Sequence, residues 1–382
     1  MNRTRPGRTA CPALDRRQRG LSLVELMVAV TLGLLLTVGM MRIYMGNRAT
    51  YAFGDGLSLI QENSRFGLDR VADSARMAGF RGCLNDVAVS NNLAGAANAF
   101  RDDIVNGIGG YDANGTAAGD DFAATAVDPM PLADAAAWTP ALPPELSNPA
   151  RVLPGSDVLV IRNVSGASNA LVSPFSDSNV LDVAAPVDFQ SGEILVATDC
   201  QKASIFQVTD VQPAAFGATI RHTNDPFNPG NVAPGSWGSE QSYGLGSEVG
   251  RLESVAFYIG RGQSGAPALF QLRLQRTGAT TSDFVPEELA DGIDTLQLRY
   301  GVDTDGNRQV DAWLTADAVD AANEWPAVLS VEVSLLARAP EEYGTEFDQA
   351  TYNVGGLRFD PVDDRRLRQV FTTTIGLRNR LP

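Results

Sequence analysis

The sequence predicts an α+β chain: a long N-terminal helix, membrane-spanning in its first half and amphipathic in its second, packed on a largely antiparallel β-sheet domain. Three observations lead there. A 21-residue apolar stretch runs from Leu21 to Met41 with one ionisable residue, Glu25. Apolar positions then keep a 3/4 spacing between Ile43 and Phe80. Strand-like runs follow one another from residue 157 onward, and helix-then-strands is the order of α+β proteins.

Composition narrows the function classes. The chain has 382 residues, 44% of them hydrophobic, enough to bury a sizeable core. A formal net charge of −15 excludes nucleic acid as the main partner, because a phosphate backbone demands a basic surface. Acidic lipid surfaces are disfavoured for the same reason. Three cysteines (Cys11, Cys83, Cys200) and one histidine (His222) are too few for a four-ligand Cys/His zinc site. Catalysis by more than one imidazole is excluded.

Residues 1–20 form a basic leader. They carry six arginines against one acid, Asp15, and such a segment stays in the cytoplasm. The apolar run that follows would be roughly 31 Å long as a helix, enough to span a bilayer. Everything after Arg42 then lies on the far side. The run ends without an A-x-A cleavage pattern, so the span is expected to be retained. A carboxylate in hydrocarbon costs about 2.5 kcal/mol or more, which makes Glu25 a functional residue in need of a cation. None lies within one turn of it in the span. Glu25, Ala29, Gly33 and Thr37 recur every four residues and form a narrow small or polar stripe, the pattern by which membrane helices approach closely. Leu26, Val30, Leu34 and Val38 form the bulky ridge beside it.

Arg19-Gly20-Leu21-Ser22-Leu23-Val24-Glu25-Leu26 resembles the type IV prepilin processing site: a basic leader, a Gly, then an apolar run with Glu five residues past the Gly. The resemblance implies cleavage between Gly20 and Leu21 by a prepilin peptidase, methylation of the new N-terminus, and a free amine that supplies the counter-ion of Glu25 within one subunit or from its neighbour. It also implies a pilin-like fold and no enzymatic activity.

The second half of the helix follows from its spacing. Leu57, Ile60, Ser64, Leu68, Val71, Ala75 and Ala78 line up one mostly apolar face of 43–82, and Glu62, Arg65, Asp69, Asp73 and Arg76 form a charged one. Gly54, Gly56 and Gly67 lower helix propensity and mark expected bends or breaks. Residues 83–156 change character. Within 84–150 there are 17 Ala, nine acids and a single basic residue, Arg101, with six prolines toward the end. This reads as a loop-rich insertion. The β-rich domain, 157–382, contains strand-like runs at 157–162, 193–198, 204–210 and 217–222. After a Pro/Gly-rich loop, 226–246, come 252–259, 268–274, 293–302, 328–337 and 369–377.

Several of these segments are similar to PilW-type minor pilins of the type IV pilus: Ser64-Arg65-Phe66-Gly67 with Ala78 to Cys83, Thr198-Asp199-Cys200, Gly292 to Asp303, Trp325 to Leu336, and Arg366 to Ile375. The family implies a low-abundance subunit that primes assembly with other minor pilins and the major pilin near the fibre tip, with roles in adhesion and twitching motility. It would reside in the inner membrane, its C-terminal domain periplasmic, before entering the fibre at the cell surface, with a tip adhesin as a further candidate partner. The alternatives are a minor pseudopilin of a type II secretion system, or a membrane-anchored periplasmic adhesin or enzyme using 84–150 and 226–246 as a ligand surface.

On the oxidising side Cys83 and Cys200 are expected to pair, closing a loop of about 117 residues at up to nearly 5 kcal/mol; two buried thiols are the alternative. Cys11 would be lost with the leader. Asp303, Asp305, Asn307 and Asp311 stand at positions 1, 3, 5 and 9 of a calcium-loop-like register. Gly306 falls at position 4 and Leu314 at position 12, so a solvated hairpin turn is favoured and no cofactor is expected, calcium being the weak exception. His222 reads as a surface or core histidine. Arg365, Arg366, Arg368, Arg378 and Arg380 are expected on the solvent face of the last strand.

Overall fold

The computed structural model describes residues 22–82, 88–95, 98–124, 134–147, 151–173, 179–233, 242–343 and 346–380. The chain divides into two compact units, 1–54 and 55–382. Helix α1 (Leu23–Arg76) runs through the boundary in sequence. Residues 23–51 of it are exposed, and its length and apolar composition suffice to cross a membrane.

In the second unit the strands are β1 (Ala88–Asn91), β2 (Ile108–Ala113), β3 (Asp121–Ala123), β4 (Trp138–Thr139), β5 (Val158–Ala170), β6 (Val180–Ala184), β7 (Ile194–Thr198), β8 (Lys202–Gln207), β9 (Asp210–Ala214) and β10 (Gly217–Arg221). They continue as β11 (Glu248–Arg261), β12 (Pro267–Arg276), β13 (Ser282–Asp291), β14 (Ile293–Val302), β15 (Ala312–Leu314), β16 (Val328–Glu342), β17 (Tyr352–Val354), β18 (Leu357–Asp360) and β19 (Arg366–Gly376). Short helices α2 (Ala99–Asp102), α3 (Pro144–Ser147) and α4 (Ala316–Ala322) sit between them. The fold is α+β, as the order of elements predicts.

The largest sheet has nine strands in the order β1-β8-β7-β11-β5-β2-β4, with β12 and β13 branching from β11. The branch exists because β11 is long: Glu248–Arg251 pair with β7, whereas Val255–Arg261 pair with β12, and β5 runs along the other edge. A second sheet has the order β15-β14-β16-β19, and two three-stranded sheets are β6-β10-β9 and β17-β18-β3. Ile60, Val71, Ala72 and Ala75 of α1 join the main core with Leu159, Phe257, Leu269, Leu296 and Val333. Burying Ile60 and Val71 stabilises by about 1.5–3 kcal/mol each, and the alanines add less, which is what holds this half of the helix on the strands.

Three expectations need correcting. The glycines of the second half do not break the helix. A Cβ on Gly56 would stand 2.6 Å from Tyr343 Cε2, and one on Gly67 would stand 2.8 Å from Leu269 Cδ2. These positions are small so that strands and helix can touch, and the helix ends at Arg76 instead. Gly79 at φ +70° lies against Gly107, where a Cβ would be 2.3 Å from the Gly79 Cα. Second, the stretch 84–150 is not simply loop: it supplies β1, β2 and β4 to the main sheet and β3 to a smaller one. Among the described residues both parallel strand pairings, β1 with β8 and β3 with β18, come from it. Its low β-propensity concealed strands that are held by long-range partners. Third, the C-terminal arginines are not a uniform solvent face, as described below.

Candidate functional site

The residues expected to act in assembly lie at the start of α1. Gly20 and Leu21 fall outside the described residues. Glu25 is in the first helical turn, where the exposed N–H groups and the helix dipole favour a negative charge. No hydrogen bond or ion pair reaches its carboxylate from the described residues. Ala29, Gly33 and Thr37 share one face at four-residue intervals, and a Cβ on Gly33 would meet nothing within 4 Å. Thr37 Oγ1 donates to the Gly33 carbonyl at 2.8 Å, and Thr31 Oγ1 to that of Val28 at 2.9 Å. Both hydroxyls are thus satisfied inside the helix, which hydrocarbon or a fibre core requires. Leu26, Val30, Leu34 and Val38 stand exposed on the adjoining ridge.

The exposed face of the second half also matches its spacing. Arg65 pairs with Asp69 at 3.8 Å and Arg76 with Asp73 at 3.0 Å, both solvent-facing and worth tenths of a kcal/mol. Cys200, in the turn between β7 and β8 at φ +66°, is disulfide-bonded. Cys83 lies outside the described residues.

The turn between β14 and β15 gathers Asp303, Asp305 and Asp311, whose ligand-type atoms lie within 4.8 Å of one another. Main-chain N–H groups of Gly306, Asn307 and Arg308 donate to Asp303. Desolvation opposes them, but together these hydrogen bonds hold its carboxyl below the usual range. Asn307 Nδ2 donates to Asp305, and Thr304 donates from both N and Oγ1 to Asp311. The geometry is that of a tightly bonded turn, with Asn307 a partner of Asp305. His222 is buried against Phe206, and burial pushes its imidazole down to about 4.

Of the C-terminal arginines, Arg368 has its side chain in the interior and Arg380 is half-buried. Arg368 has no side-chain exposure and reaches Asp294 at 2.9 Å, Asp348 at 3.2 Å and Asp364 at 2.7 Å. Arg338 adds a 3.3 Å pair with Asp294. Burial alone would lower the Arg368 proton affinity, but these carboxylates hold it raised. Arg380 donates to the carbonyls of Trp325, Val328 and Asn106. Charge in a sequence reads as surface, and only the tertiary partners reveal the Arg368 side chain as buried and Arg380 as half-buried. Asp112 and Asp157 were likewise missed. Asp157 accepts N–H bonds from Ala113 at 3.0 Å and Leu298 at 2.8 Å, joining β2 to β14. No local pattern marks such a residue.

Both ends of the chain are similar to type IV pilin families. The prokaryotic N-terminal methylation motif matches residues 15–41. The family described as type IV pilus-assembly protein W matches residues 256–379, from the middle of β11 to just past β19. Among solved structures, a type IV-like pilin from Thermus thermophilus is similar at 12% identity, covering 50% of this chain and 86% of that one with a TM-score of 0.21. No curated protein matches.

Proposed function

We propose that the chain is a minor pilin, cleaved between Gly20 and Leu21 by a prepilin peptidase and methylated on the new N-terminus, that primes pilus assembly with other minor pilins and sits near the fibre tip. The observation that carries this reading is the presence of the methylation motif and the PilW match in one chain. Cleavage frees an amine that neutralises Glu25, in the same subunit or its neighbour, and so removes the cost of a carboxylate in an apolar core. The stripe of Ala29, Gly33 and Thr37 lets neighbouring helices approach. The β domain faces the periplasm before assembly, and a Cys83–Cys200 bond ties the end of α1 to the sheet. Family and fold act by assembly rather than catalysis.

Mass spectrometry of the N-terminus from sheared pili tests cleavage, methylation and location together. The expected product begins with a methylated Leu21. Glu25→Ala should still be cleaved but enter pili poorly, and Gly20→Val should remain at precursor mass. A fibre-borne chain retaining residues 1–20 would overturn the reading.

A further inference from the structure

We infer that the outer edge of β19 is a docking edge for an extended strand of another pilus subunit, which continues the β15-β14-β16-β19 sheet across the subunit boundary; the identity of the partner rests on the minor-pilin reading above. Among the described residues β19 is the last strand of its sheet and pairs with β16 alone. At 11 residues it is long for an edge. Just past its end the Leu377 N–H donates to the Leu329 carbonyl at 2.9 Å, in the same register that sets Ser330 opposite Gly376. Along an antiparallel pair, residues that bond the partner strand alternate with residues that turn both main-chain groups away from it. Gln369, Phe371, Thr373 and Ile375 therefore bond β16, and Val370, Thr372, Thr374 and Gly376 present their N–H and C=O groups to the open side. β16 has the same phase: Arg338, opposite Arg368, directs its N–H away from β19 to the Gly292 carbonyl at 2.8 Å. From the described residues no main-chain hydrogen bond reaches the outward groups of Val370, Thr372, Thr374 or Gly376.

An open row of this kind templates pairing with another chain, and proteins blunt such edges with proline, charge or brevity. The other sheet edges described here are blunted. β13 carries Pro286 and four acids, β9 carries Pro213, and β6 has Asp182 at its middle. β1, β3, β4, β15 and β17 have four residues or fewer. From Gln369 to Gly376, by contrast, β19 has no charged side chain and no proline, and its register with β16 is unbroken. Six of those eight residues are β-branched or aromatic. Thr372 and Thr374 are exposed, and Leu367 and Phe371 are half-buried at the rim of the main core, where a further strand covers them. The row itself sets the chemistry of its occupant: N–H and C=O groups repeating every second residue are matched by extended backbone, not by a helix or a lipid surface. From Val370 to Gly376 it is roughly 20 Å long, room for a segment of about seven residues. A second copy of β19 paired about Thr372 would set Arg366 opposite Arg378, which like charge disfavours.

Thr374→Pro provides the test, because its N–H points outward: proline there removes no bond to β16 but blocks an incoming strand. Thr374→Lys, which places a charge on the edge, is the second variant. In urea unfolding of the full chain in detergent, Thr373→Pro should lower the midpoint and Thr374→Pro should leave it near wild type; equal midpoints would overturn the assigned alternation. The photo-crosslinking residue p-benzoylphenylalanine is then placed at position 372 of the full chain in piliated cells, and adducts are mapped by mass spectrometry. The expected product joins this position to another pilus subunit, and its yield should fall roughly tenfold in the Thr374→Pro and Thr374→Lys backgrounds while the membrane pool is unchanged. No adduct, an adduct with a second copy or with a protein outside the pilus, or an undiminished yield in both backgrounds would overturn the docking edge. A fibre-borne chain with methylated Leu21 and no adduct removes the edge alone, whereas retention of residues 1–20 removes the minor-pilin reading on which it rests.

Discussion

A β-carbon on Gly67 of α1 would stand 2.8 Å from Leu269 Cδ2 of β12, a side chain with no solvent exposure. The helix is pressed onto the strands there, and Leu269 has nowhere to retreat. Gly67→Val should therefore destabilise by about 1–3 kcal/mol through overpacking, more than its better helix propensity returns. At Gly54 a Cβ would meet nothing within 4 Å, so Gly54→Ala should leave stability unchanged or raise it by up to about 1 kcal/mol. Urea unfolding of the full chain in detergent reads both. Equal effects at the two positions would remove the packing explanation.

The buried ion cluster makes a second prediction. Arg368→Gln leaves Asp294, Asp348 and Asp364 facing one another without their central cation, and breaking a buried pair in this way costs about 3–5 kcal/mol. Arg368→Lys should recover only part of that, because a single ammonium cannot serve three carboxylates in the same fork. Although burial opposes it, the Arg368 hydrogen bond holds the Asp364 carboxyl below its ordinary 3.8. Its stabilisation is present above that value and is lost as pH falls through the lower folded-state value. Acid unfolding should thus begin at higher pH in Arg368→Gln than in the wild type.

The carboxylates around β2 act in the opposite direction. Burial first, then the charges of Asp317 and Asp120, push the Asp112 carboxyl up to about 7. Burial and Asp112 likewise raise Asp157, against the N–H bonds it accepts from Ala113 and Leu298. A raised acid binds its proton better when folded, so its contribution is full below about 3.8 and is lost as pH rises through about 7. Wild type should unfold at a lower temperature at pH 8 than at pH 5. Asp112→Asn should flatten that dependence and gain stability at pH 8. An unchanged slope in the variant would assign the dependence elsewhere.

In the bare half of α1, Gly33→Leu replaces the smallest side chain of the stripe while adding an apolar group that lipid tolerates. Membrane insertion and cleavage should be unaffected, and recovery in sheared pili should fall at least several-fold by immunoblot against the membrane pool. Leu35→Phe, off the stripe on an exposed position, serves as the control that assembles normally.

How much of this was legible from residue order varies along the chain. The nine strand-like runs read from 157 onward correspond to β5, β7, β8, β10, β11, β12, β14, β16 and β19. Each is rich in β-branched or aromatic residues and bounded by turn formers, so its signal is local. β13, with Pro286 and four acids in ten residues, was not read, because it owes its conformation to β12 alongside it. β3 and β4 are two or three residues long and have no periodicity to detect. The buried face of α1 was largely recovered in Ile60, Ser64, Val71 and Ala75. Gly56 and Gly67 were misread because a propensity scale records what glycine costs a helix and not what a neighbouring strand gains from its absence of side chain.

The sequence by itself determined the N-terminal segment of this protein: the basic leader, the apolar length, the isolated Glu25 and the four-residue stripe are all linear patterns, which can be read without any tertiary partner. Tertiary structure alone decided the fate of the charges. Arg368 and Arg380 look in sequence like any surface arginine, yet one is enclosed by three carboxylates and the other by three carbonyls. Whether a charge is buried depends on partners tens to hundreds of residues away, and only folding brings those partners within hydrogen-bond distance.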